Sequence, residues 1–200
     1  DCRSMEWEPV PVGDARFVIC NTKVKHDLAE GEYNKRREQC EAAARFFGES
    51  SLRNVSAEGL AAKEAEMPEV LLKRARHVIG ENGRVLAAVE SLRSGDLAAF
   101  GRLMNASHDS LRDDFEVSSP ELDLMVNLAR GREGVLGARM TGGGFGGCTI
   151  NLVGATYYDE FVEDVAGAYR SATGVDAEFY KCEIADGAGE IDNSPLRNQE

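Results

Sequence analysis

The chain has 200 residues, 42% of them hydrophobic, with a formal net charge of −12 and a pI of about 4.8. That acidity argues against nucleic acid or an anionic membrane as the main partner, since both recruit a basic face; a small anion held by backbone N–H groups stays open. No apolar run reaches the length of a membrane span, no signal peptide is visible, and the five cysteines form no CxxC pair, which together point to a reduced, cytoplasmic setting.

The chain opens "DCRSMEWEPVPV", without an initiator methionine and already alternating, and so reads as a segment of a longer protein. Residues 1–22 are expected to hold two strands, "RSMEWEPVPV" and "RFVICNT", around a "GDA" turn. Tyr33, Arg37, Cys40, Ala44 and Phe47 then recur at helical spacing, with Gly48 as the stop. A polar stretch follows, with one short helix over residues 57–63. Pro68 opens a long helical pattern that Gly80 and Gly83 leave as either one helix or two. Asp96 caps the next helix, and Ser118 or Ser119 caps another that has Pro120 in its first turn. The last third reads strand ("GVLGARMTG"), glycine loop, strand ("CTINLVG"), helix ending at Gly174, and strand ("DAEFYKCEIADG"). This order predicts an α+β fold, with helices on one face of an antiparallel sheet and a loose tail at "NSPLRNQE".

Five of the ten residues in "MTGGGFGGCT" are glycine. Ordering so many is entropically costly, and an ordinary hairpin needs one or two. Gly142, Gly144 and Gly147 spell GxGxxG, but a strand follows where the dinucleotide fingerprint requires a helix. No Gly-Lys pair exists for a Walker A loop, and no protein-kinase lysine, HRD or DFG sequence accompanies the run. What remains is an anion-binding nest of backbone N–H groups between two strands. His108 and Asp109 are adjacent on a helix and diverge by roughly 100°, so both read as structural, as does His77. The three histidines make no metal-ligand spacing.

"LGARMTGGGFGGCTINLV" resembles the third glycine-rich motif of the GHMP sugar and metabolite kinases, and within them that of the galactokinases. "CNTKVKHDLAEGEYNKRREQCEAAARFFG", the helical block "RARHVIGENGRVLAAVESLRSGDLAAFGRLMNASHDSLRDDFEVSSPELDLMV" and "CEIADGAG" are similar to that family as well, in family order over residues 1–193. The resemblance implies transfer of the ATP γ-phosphate, with Mg²⁺, to the C1 hydroxyl of galactose, a reaction run by positioning and charge neutralisation. It implies that Gly142, Gly143, Gly144, Gly146 and Gly147 line the ATP phosphate site and that Tyr33 hydrogen-bonds the sugar; Phe145, the one large side chain of the run, suits anchoring the loop in the core rather than touching a ligand. Arg36 and Arg37 could reach phosphate, although a solvated helix face suits at least one of them. The family commonly has Ser where this chain has Gly31.

The resemblance also implies a domain plan. Residues 1–22 are expected to be strands completing an N-terminal domain, residues 23–193 to form the ferredoxin-like GHMP C-terminal domain, and residues 194–200 to be tail. The family's other two motifs, its Mg²⁺ ligands and its catalytic Asp would then lie upstream of residue 1. This chain would contribute no catalytic residue and no metal ligand, would need the N-terminal half as partner, and would be inactive alone. The alternatives are a sister kinase for N-acetylgalactosamine, a non-catalytic sugar sensor of the same family, and a stand-alone domain that binds another anion.

Overall fold

The computed structural model describes residues 5, 9, 10, 12, 13, 15–25 and 29–182. Four strands, β1 (Ala15–Lys25), β2 (Val135–Thr141), β3 (Gly146–Gly154) and β4 (Glu178–Cys182), form one antiparallel sheet in the order β2-β3-β1-β4. Among the described residues six α-helices accompany it: α1 (Ala29–Phe46), α2 (Ala57–Lys63), α3 (Glu69–Arg93), α4 (Leu97–Asp113), α5 (Pro120–Arg130) and α6 (Tyr158–Thr173). The fold is α+β, as the element order predicts.

Period-two burial builds the sheet. Val18, Cys20 and Val153 face α5 and α6, packing on Met125, Val126, Ala129, Phe161, Val165 and Tyr169. The alternate residues Phe17, Ile150 and Leu152 face the other way, onto Phe100 and Met104 of α4. The helices therefore do not all share one face. α4 runs along the outer edge of β2, where Asn105 Oδ1 accepts from Ala138 N–H (2.9 Å) and His108 Nδ1 accepts from Met140 N–H (3.2 Å). Side chains thus satisfy an edge that would otherwise expose unpaired donors. Glycines let the two elements come this close: a Cβ at Gly101 would lie 2.0 Å from the Leu136 carbonyl oxygen.

The expected boundary after residue 22 falls inside β1. Over Phe17–Asn21, β1 pairs with β3 on one side and β4 on the other, so no free edge remains there for another domain's sheet. Residues 15–22 thus lie in a central strand of this sheet. Most of "RSMEWEPVPV", and everything after residue 182, lies outside the described residues.

α3 is a single helix through Gly80 and Gly83, held by packing of Leu71, Ala75 and Ile79 against Ala43 and Ala44 of α1. The helix stops and caps follow local chemistry. Asp96 accepts from Ala99 N–H, Ser119 accepts from Leu122 N–H, and Gly174 closes α6. On α1 the buried stripe is Arg36, Ala43 and Ala44, while Tyr33 and Arg37 are exposed.

Candidate active-site cleft

The β2–β3 hairpin carries the glycine run at its tip. Beside it, α4 ends at Asp113 and residues 114–117 lead toward α5. Leu111, Val117, Leu122 and Met140 form a small core beneath the tip, with Phe115 and Phe145 packed on it. Phe145 thus anchors the loop, as its size suggests. Its backbone is left-handed (φ 58°), a conformation that a non-glycine residue holds only when its surroundings fix it. The fixing contact is Phe145 N–H donating to Val117 O at 2.8 Å.

The five glycines do different things. Gly144 (φ 85°) is pressed against the 114–117 segment, where a Cβ would lie 2.1 Å from Val117 O. Gly146 is buried at the start of β3, opposite Lys25 across a bulge in β1. Gly147 gives its carbonyl to the Thr22 hydroxyl (2.7 Å). Gly142 and Gly143 alone line a cleft of about 320 Å³, together with Tyr33, Arg36, Arg37, Leu111, Phe115, Val117 and Phe145. Nothing lies within 4 Å of where their side chains would begin. Tyr33, 64% exposed, stands on the opposite wall. Of the sequence-predicted residues, then, the cleft brings together Gly142, Gly143 and Tyr33; Gly144, Gly146 and Gly147 support the loop from behind.

Arg36 is not a free phosphate ligand. It is 7% exposed, and its Nε donates to Phe115 O (2.6 Å), Nη2 to Glu116 O (2.8 Å) and Nη1 to Glu32 (3.0 Å). Arg37 is exposed and paired with Glu41 (3.0 Å).

The 114–117 segment is the feature that sequence reading missed. Arg74, 2% exposed, donates to Gln39 (2.7 Å), to the Asp114 carbonyl and to the Glu116 carboxylate (2.8 Å), which Lys73 also reaches (2.9 Å). Hydrogen bonds from Arg74 and then Lys73 hold the Glu116 carboxyl below the usual range. Glu116 itself sits at φ 55°. One signal was available: Arg74 falls in the helical stripe of Leu71, Ala75 and Val78, where an uncompensated charge would be costly.

The histidines are structural. His77 stacks on Phe115 (4.5 Å between ring centroids) and contacts Ser110 Oγ at 3.1 Å; His108 bonds the β2 edge, its Nε2 lying 3.2 Å from Asp123. Burial lowers both pKa values to about 4. Asp109 points elsewhere, to Arg130 (2.8 Å). Among the described residues, no group of three or more His, Cys, Asp or Glu converges to hold a metal, and no helix is long and apolar enough to cross a membrane.

Residues 88–165 match the family model "GHMP kinases C terminal". The galactokinase of Haemophilus influenzae strain Rd is 50% identical over 194 residues, covering 94% of this chain and 50% of that protein. The galactokinase of Mannheimia succiniciproducens is 48% identical with the same coverage. The chain spans about half the length of the curated relatives it matches. Among solved structures, Lactococcus lactis galactokinase complexed with galactose superposes with a TM-score of 0.87 at 40% identity, over 96% of this chain and 51% of that one. The mevalonate kinase of L. major shares the fold alone, with a TM-score of 0.56 at 21% identity over 87% of this chain and 44% of that one. The glycine hairpin, the helical block and the sheet that joins them fall together in these matches: the chain carries a GHMP kinase C-terminal domain and resembles, along nearly its whole length, about half of a galactokinase.

Proposed function

We propose that this chain forms one wall of the active site of a cytoplasmic galactokinase, the enzyme that moves the ATP γ-phosphate to the galactose C1 hydroxyl. The observation that carries the reading is the cleft: Gly142 and Gly143 on one side and Tyr33 on the other, brought together from distant parts of the sequence. Two α-carbons without side chains let phosphate oxygens approach backbone N–H groups. A phenol offers one hydrogen bond to a sugar hydroxyl while its ring packs at the wall. ATP fits this donor set. Mg²⁺ and the group that acts on the sugar hydroxyl belong, on this reading, to the other half of the protein, and the opposite wall completes the site by domain contact.

The test is a split in kinetic constants in the full-length enzyme. Tyr33→Phe removes one hydrogen bond, worth about 0.5–1.5 kcal/mol, and raises KM for galactose roughly 2- to 10-fold with KM for ATP unchanged. Gly143→Val places a branched side chain in the cleft and raises KM for ATP instead. A Tyr33→Phe enzyme with unaltered galactose kinetics, or a Gly143→Val enzyme with unaltered ATP kinetics, would contradict the assignment of that residue.

A further inference from the structure

Arg36 lies one helical turn beyond Tyr33 on α1 and reaches across to the hairpin tip. Its Nε and Nη2 hold two successive carbonyls, those of Phe115 and Glu116. The next carbonyl, Val117 O, accepts the Phe145 N–H. The same guanidinium sits 5.9 Å from the centroid of the Phe145 ring. Arg36 therefore touches the glycine loop twice, through the ring directly and through the 114–117 segment indirectly. Arg74 grips the same segment from α3 but does not reach the loop. A planar fork suits the task, because parallel N–H groups can engage neighbouring carbonyls together; a lysine ammonium is a point charge on a flexible stem.

We propose that Arg36 is a positioning residue, locking α1 to the glycine loop so that the Tyr33 wall and the Gly142–Gly143 wall of the cleft keep one spacing. The proposal rests on the reading that these walls hold sugar and phosphate. It explains why a cation in the cleft lining is spent on main-chain carbonyls rather than left for a ligand. Binding at one wall is then felt at the other through a rigid link rather than through solvent.

Residue-resolved hydrogen exchange on the chain tests it, with Arg36→Met, Arg36→Lys and, as a control far from the cleft, Arg93→Met. In Arg36→Met the Phe145 amide exchanges at least tenfold faster, while the Val18, Ile19 and Leu152 amides of the central sheet keep their wild-type rates. Arg36→Lys gives a smaller acceleration at the same amide, and Arg93→Met gives none. An unchanged Phe145 amide overturns the proposal, and so does a uniform acceleration across sheet and loop. Should Arg36→Met not fold, Arg36→Lys decides by the same two criteria. In the full-length enzyme the Arg36 variants raise KM for both ATP and galactose. A faster Phe145 amide with both constants unaltered leaves the locking role standing and refutes the assignment of the cleft to sugar and phosphate, so the two failures are distinguishable.

Discussion

Gly144→Ala should destabilise the fold far more than Gly143→Ala, although the two glycines are neighbours in one loop. At Gly144 an added Cβ would lie 2.1 Å from Val117 O and 2.9 Å from Val117 Cβ, both part of a segment held by Arg36 and Arg74. A backbone carbonyl cannot swing aside as a side-chain tip can. The φ of 85° adds about 1–2 kcal/mol of left-handed strain for an L-residue. Displacing Val117 O also frees the Phe145 N–H, and an unmade hydrogen bond to a buried donor costs about 1–3 kcal/mol. The sum is about 2–5 kcal/mol. At Gly143 φ is not positive and no atom lies within 4 Å, so alanine there stays within about 0.5 kcal/mol of wild type or stabilises slightly. Urea unfolding of both variants, compared at equal m-values, reads the difference as a shift in midpoint. A Gly144→Ala midpoint within error of wild type would refute the reasoning, as would equal losses at both positions.

Gly101→Ala breaks the usual rule for a helix interior. Alanine there normally gains about 1 kcal/mol, but the Leu136 carbonyl 2.0 Å away makes this substitution cost more than about 2 kcal/mol. Gly83→Ala in α3, with open space around it, gains about 0.5–1 kcal/mol; thermal unfolding of the pair shows opposite signs if the α4–β2 approach is as close as described. His77 and His108 are held neutral in the fold with pKa values of about 4, against about 6.5 when unfolded. The unfolded chain therefore binds more protons between these values, so stability is full above about pH 6.5 and falls as pH drops toward 4. The slope is at most about 1.4 kcal/mol per pH unit for each histidine. A flat stability curve between pH 7 and pH 5, or imidazole signals that titrate near 6.5, would contradict the buried placements.

Local chemistry made several elements legible from sequence. Asp96 and Ser119 cap where such residues should, α2 runs over 57–63 as its pattern indicates, and Gly174 ends α6 in the left-handed conformation. Non-local facts were less accessible. Nothing in "RFVICNT" tells which sheet it joins; pairing with β3 and β4, more than a hundred residues later, decides that. The continuity of α3 through Gly80 and Gly83 comes from tertiary packing that outweighs propensity. Within the glycine run, composition treats all five residues alike. The structure separates the two that face the cleft from the one wedged on Val117 and the two that belong to β3. Arg36 looked like a solvated or phosphate-seeking cation, because the carbonyls it serves lie in a segment some eighty residues away.

We propose that this chain completes a galactose-phosphorylating site that it cannot form by itself. A coupled assay of ADP release, with galactose and ATP–Mg²⁺, tests this on the 200-residue chain and on the full-length polypeptide in parallel. The chain alone should show no turnover, and the full-length protein turnover in the ordinary kinase range of about 1–100 s⁻¹, with galactose preferred over N-acetylgalactosamine. Comparable turnover by the chain alone, or a full-length protein that binds galactose and ATP without releasing ADP, would contradict it.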